Sequence, residues 1–190
     1  VVVSNIVSLF PSAIYIKDTR IDTSDMLQIC LDIESEDHGL LHGEAQSTFT
    51  TETNILEHSS FSLAKSVITS EVRTFAKQIG IDMKDVKLGR SWFNIQKQGS
   101  TIMQHNHRRS VISGAFYLHA DKDAAPITFA NPLMAHKMYE PSVGGRTDYD
   151  VEFVNIPAET GKLVLFPSWL EHYVGYNNSD MRVTLSFNFS

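Results

Sequence analysis

Met181-Arg182-Val183-Thr184-Leu185-Ser186-Phe187-Asn188-Phe189 stands at the end of the sequence and alternates strictly. Successive side chains of an extended strand point to opposite faces. Met181, Val183, Leu185, Phe187 and Phe189 therefore share one face, and Arg182, Thr184, Ser186 and Asn188 the other. In a sandwich with one wet side, the polar row meets solvent. In a barrel that encloses a polar ligand, the polar row turns inward and the apolar row packs under helices. The strand by itself leaves both arrangements open.

Upstream of it the chain keeps the same texture back to Val86. Short extended runs alternate with turn signals: V-K-L-G-R-S-W-F-N-I-Q, T-I-M-Q-H-N-H, V-I-S-G-A-F-Y-L, P-I-T-F, V-E-F-V-N-I, K-L-V-L-F and H-Y-V-G-Y. Turns are expected at Asp121–Pro126, Gly144–Asp148, Glu159–Gly161 and Asn177–Asp180. Seven or eight short strands in series predict a sandwich or barrel. Ahead of them stand two helical patterns. Asp22 to about Glu36 carries Met26, Ile29, Cys30 and Ile33 at i, i+3, i+4 and i+7, with Asp22, Thr23 and Ser24 as capping candidates. Ser60–Ile79 carries Ile68, Val72, Phe75 and Ile79 on one stripe, with Ser60 or Ser62 to cap it and Gly80 at the C′ position. Residues 6–17 read as extended and broken at Pro11. Residues 37–59 show no period and read as a loop, one that could contact substrate. The expected organisation is one domain over 1–190: an N-terminal strand and supporting helices over 1–85, and a β core over 86–190. Two helices with single apolar stripes need an apolar sheet face to cover, which the exterior of such a barrel would offer, and the sandwich and the barrel stay even at this point.

The histidines add a second argument. His105 and His107 are i and i+2, so both imidazoles reach the same side of a strand. His172 follows at the end of K-L-V-L-F-P-S-W-L-E-H. A close pair and a distant third is a metal-ligand pattern, and a metal there would need an anionic ligand whose far carboxylate Arg182 could hold. His38, His42 and His58 lack ligand-like spacing and read as loop residues. His119 reads as a strand-end residue, and His136 lies in a loop that could overhang the site. Arg108 and Arg109 read as a turn, Trp169 as packing, and Cys30, the single cysteine, as a small core residue. Gly144-Gly145-Arg146 lacks the strand and helix of a phosphate loop, and no serine sits in a nucleophile elbow.

The formal net charge of −6 over 190 residues argues against non-specific binding to nucleic acid or a membrane surface. No apolar run reaches the ~18 residues of a membrane span. V-V-V-S-N-I-V-S-L-F lacks a basic leader and a clear cleavage site, so it reads as strand. With one cysteine no intrachain disulfide can form, and a cytoplasmic location is expected. Exposed edge strands would allow a homodimer.

At His105-Asn106-His107, S-G-A-F-Y-L and F-P-S-W-L-E-H the chain resembles the 2-oxoglutarate/Fe(II)-dependent oxygenase superfamily, and a group of bacterial and phage oxygenases in particular. The resemblance covers about residues 86–190. It implies a double-stranded β-helix, the cupin-like jelly-roll barrel, with Fe(II) and 2-oxoglutarate as cofactors. It also implies a hydroxylase that converts 2-oxoglutarate and O2 to succinate and CO2 while acting on a C–H bond of an unidentified substrate. By position, His105 and His172 match the family's histidine ligands. Arg182 matches the arginine that pairs with the distal carboxylate of 2-oxoglutarate, Thr184 a hydroxyl beside it, and Tyr117 a tyrosine that reaches the same carboxylate. Ser113 and Asn94 are expected to line the pocket. His107 departs from the pattern, because the family places a carboxylate there. Either three imidazoles hold the metal, or His107 points away and Asp121, Asp123, Glu171 or water completes the shell. A neutral third ligand also keeps open a three-histidine cupin-type dioxygenase or isomerase without 2-oxoglutarate. A non-catalytic jelly-roll binding protein is the remaining alternative.

Overall fold

The computed structural model describes residues 9–36, 38–134 and 151–190. Expectations for residues 1–8, for the turn at Gly144–Asp148 and for His136 lie outside these. The elements are β1 (Tyr15–Asp18), α1 (Ser24–Asp32), β2 (Leu41–His42), β3 (Ala45–Ser47), α2 (Ser62–Gln78), β4 (Leu88–Gln96), β5 (Thr101–His105) and β6 (Ile112–Ala120). They continue with β7 (Ile127–Ala130), β8 (Phe153–Ile156), β9 (Lys162–Pro167), β10 (His172–Val174) and β11 (Arg182–Phe189). Two sheets face each other. The larger has the order β1-β9-β6-β11-β4-β3 and the smaller β2-β5-β10-β7-β8, every pair antiparallel. This is the expected jelly roll, a mainly β barrel with flanking helices.

Val183, Leu185, Phe187 and Phe189 pack outward with Phe93, Phe116, Leu118, Leu163 and Leu165 against α1 and α2, which contribute Met26, Cys30, Ile68, Val72 and Phe75. Arg182, Thr184 and Asn188 are buried as well, on the inner face. The helices thus occupy the apolar side, and the barrel interior keeps the polar row. Gly114 of β6 makes this packing fit, since a Cβ there would sit 2.4 Å from the Phe187 ring. A second, smaller core of Tyr117, Ile127, Phe129, Val164, Phe166 and Leu170 fills the space between the sheets.

Both helices form where their apolar stripes predict, with corrections at the ends. α1 stops at Asp32 because Ile33 turns extended (ψ 132), although Ile33 keeps the apolar period and packs on the core. Of the capping candidates, Asp22 accepts the amide of Ser24, the first residue of α1, at 3.0 Å, while Thr23 at the N-cap makes no side-chain cap bond and α2 starts without one. The Thr23 hydroxyl instead donates to the Leu118 carbonyl at 2.7 Å, tying α1 to β6. α2 begins after two 3-10 turns, Ile55–Glu57 and Ser59–Phe61. It ends as predicted: Gly80 has φ 76, and the Ile81 and Gly80 amides reach back to Ala76 and Lys77, a Schellman closure. The supposed loop at 37–59 contains β2 and β3, each pinned to a longer strand. Cys30 is fully buried, and burial pushes its thiol up to about 12, as a core residue requires. Among the described residues no helix is long and apolar enough to cross a membrane.

Candidate metal centre

His105 ends β5 and His172 begins β10, and the two are direct partners across the antiparallel pair. His107 stands two residues past His105, its amide anchored to the Ser168 carbonyl at 2.9 Å. The three rings converge, with centroids 4.4 Å (His105–His172), 5.0 Å (His105–His107) and 5.1 Å (His107–His172) apart. One nitrogen from each lies within 4.8 Å of the others. Nδ1 of His105 meets the Met103 carbonyl at 2.7 Å, and Nδ1 of His172 meets the Leu170 carbonyl at 3.0 Å. A carbonyl only accepts, so both Nδ1 atoms carry the proton and both Nε2 atoms keep a free lone pair. Orienting a ligand imidazole through its other nitrogen is the usual support of a metal histidine.

Burial sets their charge. It depresses His107 and His172 to about 3 and lowers His105 as well, helped at His107 and His172 by mutual repulsion among the rings. All three imidazoles are therefore neutral near pH 7, the form a metal ion needs. An unfolded histidine titrates near 6.5. Between that value and about 3 the unfolded chain binds more protons than the folded one, so stability falls as pH falls. In metal-free protein each of the two residues should remove up to about 1.4 kcal/mol per pH unit below ~6.5. Urea unfolding midpoints from pH 8 to pH 5 should be flat at first and then drop. A flat profile throughout would rule out buried neutral rings.

At the other end of the same cavity lies Arg182, 2 % exposed. Its Nε donates to the Ala125 carbonyl (3.0 Å), and its Nη1 to Gln96 Oε1 (2.6 Å) and Thr184 Oγ1 (2.8 Å). Nη2 reaches the Tyr117 hydroxyl at 3.4 Å, and the guanidinium carbon lies 5.0 Å from the Tyr117 ring centre. All of these partners are neutral. Among the described residues no carboxylate pairs with Arg182. A buried cation without a counterion is costly unless something anionic arrives. The cavity of about 140 Å³ is lined by the three histidines, Arg182, Thr184 and Asn94, a size suited to one small molecule. The donor set therefore fits a divalent metal at one end and a carboxylate at the other.

Tyr117 is fully buried against Arg182 and is not among the described lining residues. Ser113 is tied to Ser168 Oγ (2.7 Å) and Asn188 Oδ1 (2.8 Å) and is not among the described lining residues. Of the carboxylates considered as substitutes, Asp121 holds His119 and the Met181 amide, Glu171 accepts from Gln104, and Asp123 is exposed and outside the metal-binding group. Among the described residues the metal-binding group is all histidine. His38, Leu40, Phe49 and Trp92 also line the cavity, so the 37–59 segment supplies a wall of the site. Phe49 is fixed there by Arg90, which stacks on its ring and donates to its carbonyl at 2.8 Å. Arg108 and Arg109 form a turn, with Arg109 at φ 71. Trp169 is exposed.

A jelly roll with an imidazole cluster and a buried arginine facing each other inside is the frame of a metal-dependent oxygenase. The model of a family described as "Putative 2OG-Fe(II) oxygenase" matches residues 90–188, and the chain belongs to that family. Its cofactors are Fe(II) and 2-oxoglutarate, and the family uses 2-oxoglutarate and O2 as co-substrates. No curated protein matches the sequence. Among solved structures, a Pseudomonas putida prolyl-4-hydroxylase is similar over 94% of this chain and 92% of its own, with TM-score 0.64 and 11% identity. HygX from Streptomyces hygroscopicus, solved with nickel and 2-oxoglutarate, is similar over 94% and 83%, with TM-score 0.64 and 10% identity. The epimerase SnoN from nogalamycin biosynthesis is similar over 94% and 78%, with TM-score 0.65 and 12% identity. At such identities the likeness is one of fold.

Proposed function

We propose that this protein is a hydroxylase in which His105, His107 and His172 hold Fe(II) and Arg182 receives the distal carboxylate of 2-oxoglutarate. The observation that carries it is the pairing, within one small cavity, of three neutral imidazoles and a buried arginine that lacks an anion. When bound, Fe(II) and 2-oxoglutarate supply the oxidising chemistry, coupling O2 reduction to release of succinate and CO2 with one oxygen atom passed to substrate. The chain's own residues position and exclude. The Met103 and Leu170 carbonyls fix two of the ligand rings. Phe166 and Phe129, with ring centres 4.6 and 6.0 Å from that of His172, keep water from its flank. Thr184 and Tyr117 hold the guanidinium toward the cavity, where a planar fork binds a carboxylate better than a lysine would. Phe49 and Trp92 wall the cavity beside His107 and are the first candidates for touching the primary substrate.

The test is anaerobic. Fe(II) and then 2-oxoglutarate are added to metal-free protein, and a visible metal-to-ligand charge-transfer band should develop and saturate. An iron-loaded protein without the band would overturn the assignment and favour the three-histidine chemistry without 2-oxoglutarate. Once a substrate is found, a product heavier by one oxygen atom marks hydroxylation, and an unchanged mass marks epimerisation.

A further inference from the structure

Asn177 lies in the connection between β10 and β11 and is fully buried. Its side-chain Oδ1 accepts from the Ala125 amide (3.0 Å) and from the Ser179 hydroxyl (3.0 Å). Its Nδ2 donates to the carbonyls of Ser179 (3.1 Å) and Lys97 (3.2 Å), with that of Gln96 at 3.4 Å. The amide can face only one way, because a flip would set its oxygen against carbonyls and its NH2 against an N–H. The backbone is pinned as well. The Asn177 amide donates to the Ser100 carbonyl at 3.0 Å, and its carbonyl accepts from Gly99 at 2.8 Å. A turn asparagine ordinarily serves its own turn, two residues on. The Ser179 bonds do that here, whereas the bonds to Ala125 and Lys97 span 52 and 80 positions.

Those distant partners are the ones that hold Arg182. Ala125 gives its amide to Asn177 and its carbonyl to Arg182 Nε (3.0 Å). Gln96 gives its backbone carbonyl to Asn177 and its side-chain Oε1 to Arg182 Nη1 (2.6 Å). Ala125 leads into β7 of the smaller sheet, and Gln96 ends β4 of the larger. One buried amide thus sets the spacing between two guanidinium acceptors that come from opposite sheets. A long, flexible side chain keeps a single direction only while its acceptors stay in place.

We infer that Asn177 is a positioning residue for the carboxylate end of the cavity, aiming Arg182 at the distal carboxylate of 2-oxoglutarate through Ala125 and Gln96. It acts without touching the ligand, and it is not among the described lining residues. The inference rests on the function proposed above.

The test compares two oxoacids on the Fe(II) protein without oxygen, each followed by the charge-transfer band. One is 2-oxoglutarate. The other is 2-oxopentanoate, which has a methyl group where the distal carboxylate stands. Both chelate the metal, but only the first can engage Arg182, so the ratio of their affinities reads the guanidinium alone. Asn177→Ala should weaken 2-oxoglutarate roughly 10-fold, the lower end of what losing a partner that orients a metal ligand costs. Affinities for 2-oxopentanoate and Fe(II) should stay within about threefold of wild type, as independent sites do. Ser179→Ala serves as the control. It removes two hydrogen bonds of the same turn but none that joins Asn177 to an acceptor of Arg182. It should lower the thermal midpoint and leave the preference for 2-oxoglutarate intact. If Asn177→Ala does not fold, Asn177→Ser is measured in its place, with sucrose added to favour the compact state. A folded Asn177 variant that keeps the wild-type preference overturns the inference, and so does an equal loss of preference in Ser179→Ala. A wild type that takes up iron but shows no band with 2-oxoglutarate overturns both the inference and the function on which it rests.

Discussion

His107→Ala should lower Fe(II) affinity by at least about 100-fold and abolish the charge-transfer band at iron concentrations that saturate the wild type. Loss of an outer-shell partner alone commonly costs 10- to 100-fold in metal affinity, and a direct ligand is worth more. The prediction is specific to this chain because a carboxylate normally occupies this slot in non-haem Fe(II) oxygenases. His107 sits 5.0–5.1 Å, centroid to centroid, from both other rings, and among the described residues no carboxylate belongs to the metal-binding group. His107→Asp restores the usual donor set and should bind Fe(II) within about tenfold of wild type, while holding 2-oxoglutarate less tightly because the centre then carries one positive charge fewer. Equilibrium titration with Fe(II), followed by 2-oxoglutarate, reads both effects. A band that survives in His107→Ala would remove His107 from the metal and return the third position to a carboxylate or water.

How much of this was legible beforehand depends on the range over which each signal acts. The stripe of α2 and the alternation of β11 are local and periodic, and both elements formed where their patterns place them. The H-x-H spacing is local too, and the register of β5 against β10 brings His172 to it. What escaped is set by tertiary partners. β2 and β3 are two and three residues long, exist because β5 and β4 offer them an edge, and leave no period to detect. Phe49 and His38 reach the cavity only because those strands are pinned there. Thr23 looks like a cap, yet the packing of α1 on β6 gives its hydroxyl a better acceptor in the Leu118 carbonyl. Gln96 reads from sequence as an ordinary polar residue at a strand end. Its meaning lies in a partner 86 positions away. The direction of the polar face of β11, undecidable from alternation alone, follows once the helices claim the apolar side.

The second large effect is at Arg182, where stability and function should move apart. Arg182→Met removes a buried guanidinium held only by neutral acceptors. Replacing buried charge by an apolar side chain of similar size is often neutral or stabilising, because the cost of desolvating the ion disappears. The metal-free variant should therefore melt at or above the wild-type temperature despite the unpaired Gln96 and Thr184 oxygens it leaves. The same change should weaken 2-oxoglutarate by roughly 30- to 1,000-fold, since truncating one partner of a buried hydrogen-bonded charge pair costs about 2–5 kcal/mol, and tenfold in affinity is about 1.4 kcal/mol. Fe(II) affinity should stay put, because Arg182 and the three histidines stand at opposite ends of the cavity. Arg182→Lys should recover only part of the loss, as an ammonium cannot serve Thr184, Gln96 and a carboxylate with one planar fork. Thermal melting of the metal-free proteins beside an anaerobic 2-oxoglutarate titration checks all three expectations. A variant that melts well below wild type while keeping its affinity would make Arg182 a structural residue. The opposite split, stable and unable to hold 2-oxoglutarate, is what a buried charge kept for an incoming anion requires.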